Sequence, residues 1–324
     1  MGADILLLGL GETGASVGLA LARSGGDFRR TGYDPSLNVA RAAHKAGAVE
    51  RLTSDPRREA GSADLVFYSL PLATLGPGLD LIAADIKTDS ILIDMTPLKQ
   101  PALEAVRQHL RPGAAFVGAV PILGAERVFQ PGTPPASADL FQGGLLALIL
   151  APGTPPAVVD VCNDLATILG AHPFFLEASE FDAAMAASEG LPVVLAVAYL
   201  RSLAANPAWR DQGLFAARTF DALTRLAALR PAPDLAEDLV ANRTHILRWI
   251  DALLAELGDL RTLVAEADSD GIRQPLEDAA SAYLAWKSAR TAGPKVQAAP
   301  PLPQMSSGSR LAQLLGFRPP RRER

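Results

Sequence analysis

Cysteine is almost absent: Cys162 stands alone among 324 residues. No intramolecular disulfide can form, and no set of thiolates is available to hold a metal, so no metal is expected. That usage suits a reducing compartment. An excess of positive charge is also missing. The formal net charge is −5 and the pI near 5.5, with no basic stripe before the last residues, which excludes a nucleic-acid surface. Long apolar runs are lacking: Leu145 to Leu150 and Leu191 to Leu200 are too short to span a bilayer. The chain enters its first strand with no basic leader, and no repeat of fixed period is visible. A cytoplasmic protein without a membrane or nucleic-acid partner is the expectation.

What is present is ordinary globular material, 49% hydrophobic and 20% charged, long enough for two full-sized cores. The informative stretch opens the chain. Ile5-Leu-Leu-Leu8 runs into Gly9-Leu-Gly11-Glu-Thr-Gly14 and then into an apolar helical run ending near Ser24. Strand, glycine turn and helix in that order match a dinucleotide fingerprint. Gly9 makes the tight turn, Gly11 admits a pyrophosphate to the backbone, and Gly14 lets the helix close on the strand. The N–H groups at the helix start then face the phosphates. A second strand ends at Asp34, about 20 residues beyond the glycines, where a carboxylate meets the adenosine ribose hydroxyls. A carboxylate there repels a 2′-phosphate, so NAD is expected in preference to NADP.

Further along, the strand–helix alternation continues. Asp64 to Pro71, Ser90 to Asp94 and Ala115 to Gly118 read as buried strands, with Ala48-Val49 as a short one. Leu145 to Leu150 and His172 to Leu176 follow a Gly-, Pro- and Ser-rich loop from Leu123 to Gly144. This predicts an α/β fold, a Rossmann-type doubly wound parallel sheet with ligands at the carboxyl ends of its strands. Ser69 and Pro71, just after their strand, therefore join Gly9, Gly11, Glu12, Thr13, Gly14 and Asp34 as expected cofactor-binding residues. In a wholly parallel sheet His172, first in its strand, faces away from that edge. From Ser179 the period is helical, and Leu253, Leu254, Leu257, Leu260 and Leu263 mark one apolar face. The expected division is residues 1–178 as the dinucleotide domain, 179–292 as an all-α domain, and 293–324 as a disordered tail ending in Arg318, Arg321, Arg322 and Arg324.

In their order these segments resemble the prephenate/arogenate dehydrogenase family: the Gly9–Gly14 turn, Leu70-Pro71, Asp94 with Lys99, Phe116-Val-Gly118, Pro121 with Gly124, Leu140-Phe141, Leu191-Pro192, Thr224-Arg-Leu-Ala227 and Asn242. The resemblance implies an NAD-dependent oxidative decarboxylation in tyrosine biosynthesis, a small carboxylate substrate and a homodimer formed through the helical domain. It implies Arg225 and Asn242 as substrate-binding residues, with Thr96, Lys99 and position 120 on the catalytic side. On the residues alone, Arg225 is equally an ordinary surface arginine, and Lys99 is either at the ligand edge or merely the start of a helix. The family's Gly-x-His-Pro reads Gly118-Ala-Val120-Pro121 here, so a valine stands where the base is expected, and the family's serine falls on Pro97. His44, His109 and His172 offer no obvious replacement, and His245, three residues after Asn242, is read as structural. Three readings follow: a prephenate-type dehydrogenase lacking its usual base, a dehydrogenase of the same fold for another small carboxylate, or an NAD-binding regulatory protein without redox chemistry.

Overall fold

The structure, a computed structural model, describes residues 2–110, 113–130 and 135–293. Its contacts divide the chain into two units. The first runs to Glu177 and includes Leu284 onward, and the second is Ala178–Tyr283. Leu284 to Ala292, read from sequence as helical domain, thus groups with the sheet. Of the tail only Gly293 is described, so its expected disorder and its arginines lie outside the described residues.

The first unit holds eight strands: β1 (Ala3–Leu8), β2 (Phe28–Tyr33), β3 (Arg51–Leu52), β4 (Leu65–Tyr68), β5 (Ile91–Asp94), β6 (Ala115–Ile122), β7 (Leu145–Leu150) and β8 (His172–Phe175). They form one sheet in the order β3-β2-β1-β4-β5-β6-β7-β8. The helices between them are α1 (Glu12–Arg23), α2 (Leu37–Lys45), α3 (Pro56–Ala60), α4 (Leu75–Ile82), α5 (Gln100–His109), α6 (Ala125–Val128) and α7 (Pro156–Leu169). Strands such as β1 and β5 are continuous apolar runs because both faces are covered. On one side Ile5, Leu7 and Val117 pack with Val17 of α1 and Val161 and Leu165 of α7. On the other, Leu6, Val66, Tyr68 and Leu92 pack with Leu79 of α4 and Ala102 of α5. Strand order reverses between β1 and β4, which opens a crevice at their carboxyl ends.

Two expectations need correction. Ala48 and Val49 are buried but precede β3: Val49 lies against the bare face of Gly32, and the Ala48 carbonyl against that of Gly18. The sheet is also not parallel throughout, since β7 runs antiparallel to β6 and β8 parallel to β7. The chain returns through the 123–144 segment, whose only described helix is the four-residue α6, and without a full crossover helix an antiparallel return is the natural one. His172 pairs with Leu145, which pairs with Ile122 at the end of β6. It therefore lies at the carboxyl edge of the parallel strands, not away from it.

The second unit is helical: α8 (Ala178–Met185), a π turn over Ala186–Gly190, α9 (Leu191–Ala204), α10 (Trp209–Gln212), α11 (Arg218–Thr224), α12 (Ala232–Ala241), α13 (Arg243–Ala265) and the start of α14 (Ser269–Thr291). Ala178–Ala204 is one helical stretch of 27 residues, long and apolar enough to cross a bilayer by length and composition, a length that the run Leu191 to Leu200 does not suggest by itself. Within this unit the turn after α11 packs against α9, and α13 packs against the π turn, α8 and α9. Gly190 allows this approach, because a Cβ there would stand 2.3 Å from Ile246 Cδ1. The leucine face of α13 is uncovered in the single chain, with Leu254 and Leu257 exposed.

Candidate active site

The three glycines at the end of β1 behave differently. Gly9 has φ +93°, and a Cβ on it would lie 2.6 Å from the Ser69 carbonyl, so the turn is pressed against the end of β4. A Cβ on Gly14 would lie 2.0 Å from the Gly9 carbonyl oxygen. Only Gly11 faces open space, with nothing within 4 Å of a Cβ built on it. No side chain caps α1, which leaves the amides of its first turn available to an anion. Asp34 steadies the turn from the next strand: Oδ2 accepts the Leu10 N–H at 2.8 Å and Oδ1 that of Ser36 at 2.8 Å. Ser69 donates its N–H to the Leu8 carbonyl at 2.7 Å, and Pro71 begins the turn that leads to α4. The three glycines divide their roles, two used for closure and one left open, the arrangement expected of a dinucleotide turn. Glu12 lies in the same first turn, half-buried, and burial pushes its carboxyl above the usual carboxylate range.

A second polar group sits at the ends of β5 and β6. The side chains of Asp94 and Lys99 are fully buried and ion-paired. The Lys99 ammonium also donates to the Asp94 backbone carbonyl at 3.1 Å. Thr96 gives its N–H to one Asp94 oxygen and its hydroxyl to the other, each at 3.0 Å. Gly118 makes the room: a Cβ there would be 2.7 Å from Lys99 Cδ. Thr96 and Lys99 are thus engaged with Asp94 beneath the sheet edge. Neighbouring Tyr68 is buried, donates or accepts at Thr74 Oγ1 (2.9 Å), and has its hydroxyl pushed up to about 12 by desolvation. Val120 is half-buried and extends beyond Asp94, the last residue of β5, while still paired with Ala147 of β7. By register it shares a face with Asp94, Gly118 and exposed His172.

In the second unit Arg225 is exposed, at the turn that ends α11, and no hydrogen bond or ion pair holds it among the described residues. Asn242, also expected at the substrate, is buried between α12 and α13 and donates to the Asp182 backbone carbonyl at 2.8 Å. His245 is half-buried. Arg230 and Asp238, which pair at 2.6 Å, carry no signal in the sequence that singles them out. Burial raises the Asp238 carboxyl despite Arg230. A π turn is itself a frequent mark of functional positions, but it has no signature in single-sequence periodicity.

A sequence model described as prephenate dehydrogenase, nucleotide-binding domain, matches residues 17–175, and one described as prephenate dehydrogenase, dimerization domain, matches residues 177–278. The chain is 26% identical over 291 residues to a cyclohexadienyl dehydrogenase of Zymomonas mobilis, covering 88% of this chain and 96% of that one. It is 26% identical over 275 residues to a prephenate dehydrogenase of Bacillus subtilis, covering 83% and 72%. In fold it is similar to prephenate dehydrogenase from A. aeolicus in complex with hydroxyphenyl propionate and NAD+, with TM-score 0.75, 19% identity and 88% and 98% coverage. It is also similar to Synechocystis arogenate dehydrogenase, with TM-score 0.69, 19% identity and 87% and 99% coverage. Matched in order along both halves by the two domains of one enzyme, the chain belongs to the prephenate dehydrogenase family.

Proposed function

We propose that this chain binds NAD in its sheet unit and oxidises a small cyclohexadienyl carboxylate of the prephenate or arogenate kind, with loss of carbon dioxide. The observation that carries the reading is the glycine turn, with Gly9 and Gly14 closed, Gly11 open and α1 uncapped. The names of the relatives in Zymomonas and Bacillus support the substrate class. When bound, the dinucleotide supplies the hydride acceptor. The chain's own residues do the rest: the first-turn amides and Gly11 receive the pyrophosphate, Asp34 receives the ribose, and unpaired Arg225 offers a fork of donors to a substrate carboxylate. Val120 can take no proton, and Lys99 and Thr96 are committed to Asp94. The substrate hydroxyl therefore loses its proton without assistance at position 120. General base help is typically worth about 10²–10⁴ in rate, roughly 3–5 kcal/mol, so the reaction is slowed while binding and orientation survive.

Val120 also favours a second reading. With Pro97 it makes two apolar positions where the resemblance expects a histidine and a serine, which suits a different small carboxylate or a nucleotide-dependent regulator. The test assays wild type, Val120→His and a Val120→His, Pro97→Ser double variant with prephenate and arogenate by NADH absorbance, alongside calorimetric NAD titration. A gain of about 10²-fold for Val120→His is expected, at the lower end of general base catalysis, with Arg225→Ala raising KM. No turnover in any of the three, with NAD bound, overturns the substrate assignment and leaves the second reading. We also propose a two-fold dimer through the helical unit, supported by the matched dimerization domain and the uncovered face of α13.

A further inference from the structure

The cradle carries a negative charge of its own. Glu12 is the first residue of α1 and follows Gly11, whose outward face is open. Its side chain is half-buried, and among the described residues no cation pairs with it. The start of a helix offers a partial positive charge of about half a unit, concentrated in the first turn. A carboxylate in that turn and an arriving pyrophosphate draw on the same donors and the same field. Resting on the NAD reading above, we infer that Glu12 is an electrostatic brake on dinucleotide binding, which weakens the grip on the pyrophosphate while Glu12 is ionised and releases it when Glu12 is neutral.

Among the described residues, most charges on the elements around α1 have partners of their own. Helix α1 packs against β1, β2 and α7, and the 137–138 segment reaches it through Ser16 and Arg23. The charges on β1 and β2 are spoken for: Asp4 pairs with Arg29, and Arg30 with Glu50. Asp139 pairs with Arg127. Asp160 on α7 acts on its neighbour Asp164, and burial raises the Glu12 carboxyl. Asp34, the other carboxylate of the cradle, is bound to the Leu10 and Ser36 amides. It is present in wild type and variants alike, so their difference isolates Glu12. A bound pyrophosphate raises the Glu12 carboxyl further by like-charge repulsion, so binding takes up a proton and affinity increases as pH falls through its titration.

The experiment is calorimetric titration of the full chain with NAD and with ADP-ribose, for wild type, Glu12→Gln and Glu12→Ala. At neutral pH and low salt both variants should bind about tenfold more tightly, the effect of one nearby charge in a largely aqueous setting. The gap should narrow in high salt and at pH near 5, and only wild type should take up protons, seen by repeating the titration in buffers of different ionisation heat. Equal or weaker binding by both variants overturns the brake while leaving the NAD reading intact. A gap seen with NAD but absent with ADP-ribose overturns its placement at the pyrophosphate. Absence of binding by all three proteins overturns the NAD reading and the brake together.

Discussion

Lys99→Met separates a structural from a catalytic lysine. The substitution keeps the stem that crosses beneath Gly118 and removes the ammonium. Asp94 then remains fully buried, holding only the amide and hydroxyl of Thr96 as donors among those described above. Removing one partner of a buried pair costs about 3–5 kcal/mol, because the other charge is left uncompensated. That is a fifth or more of the roughly 5–15 kcal/mol by which domains are stable. For a unit of this size it corresponds to a fall in Tm of roughly 6–20 °C. Removing both charges avoids the penalty, and Asn at position 94 still accepts the Thr96 N–H. The Asp94→Asn, Lys99→Met double variant should therefore recover to within about 1–2 kcal/mol of wild type. Urea denaturation of the four proteins at pH 7 measures the cycle. Lys99→Met within about 1 kcal/mol of wild type, the ordinary range for an unimportant site, refutes the buried-pair argument. If it also loses turnover while folding normally, Lys99 works on the substrate.

The glycines give a paired test: Gly14→Ala, with its Cβ 2.0 Å from a backbone oxygen, should lower stability, whereas Gly11→Ala, facing open space, should fold like wild type and lose NAD affinity, measured by thermal melts with calorimetric titration. Sedimentation should find a dimer at micromolar concentration, and Leu254→Glu with Leu257→Glu on the uncovered face of α13 should shift it toward monomer; an unchanged dimer places the interface elsewhere. Stability should fall on the alkaline side, because burial pushes both Tyr68 and Cys162 up to about 12. The folded state keeps these protons more tightly than the unfolded chain does. Their contribution is therefore complete below pH ~9, the ordinary thiol range, and is lost as pH rises toward 12. Tyr68→Phe should flatten that limb in urea midpoints taken from pH 8 to 11.

The parallel strands are legible in the sequence because Ile5 to Leu8 and Ile91 to Ile93 are apolar on both faces, a pattern only a covered sheet requires. The glycine turn is legible because its spacing encodes a geometry. Strand direction is not: Leu145 to Leu150 reads the same in either sense, and only the connection from β6 settles which way it runs, carrying His172 to the ligand edge. The polar residues show the limit most clearly. Asp94, Thr96, Lys99 and Asn242 look like site residues in sequence, and in the fold each is hydrogen-bonded within its own unit, with some of the residues that decide this far along the chain. Gly118 clears the space for Lys99, and Asp182 lies 60 positions from Asn242. A buried polar group satisfied by its own unit stabilises that unit. A charge that no partner holds among the described residues, as with Arg225 at the end of α11 and half-buried Glu12 at the start of α1, is what the proposed ligand roles require, attractive in the first case and repulsive in the second. Sequence supplies the residue type, while the presence or absence of an internal partner is set by the fold.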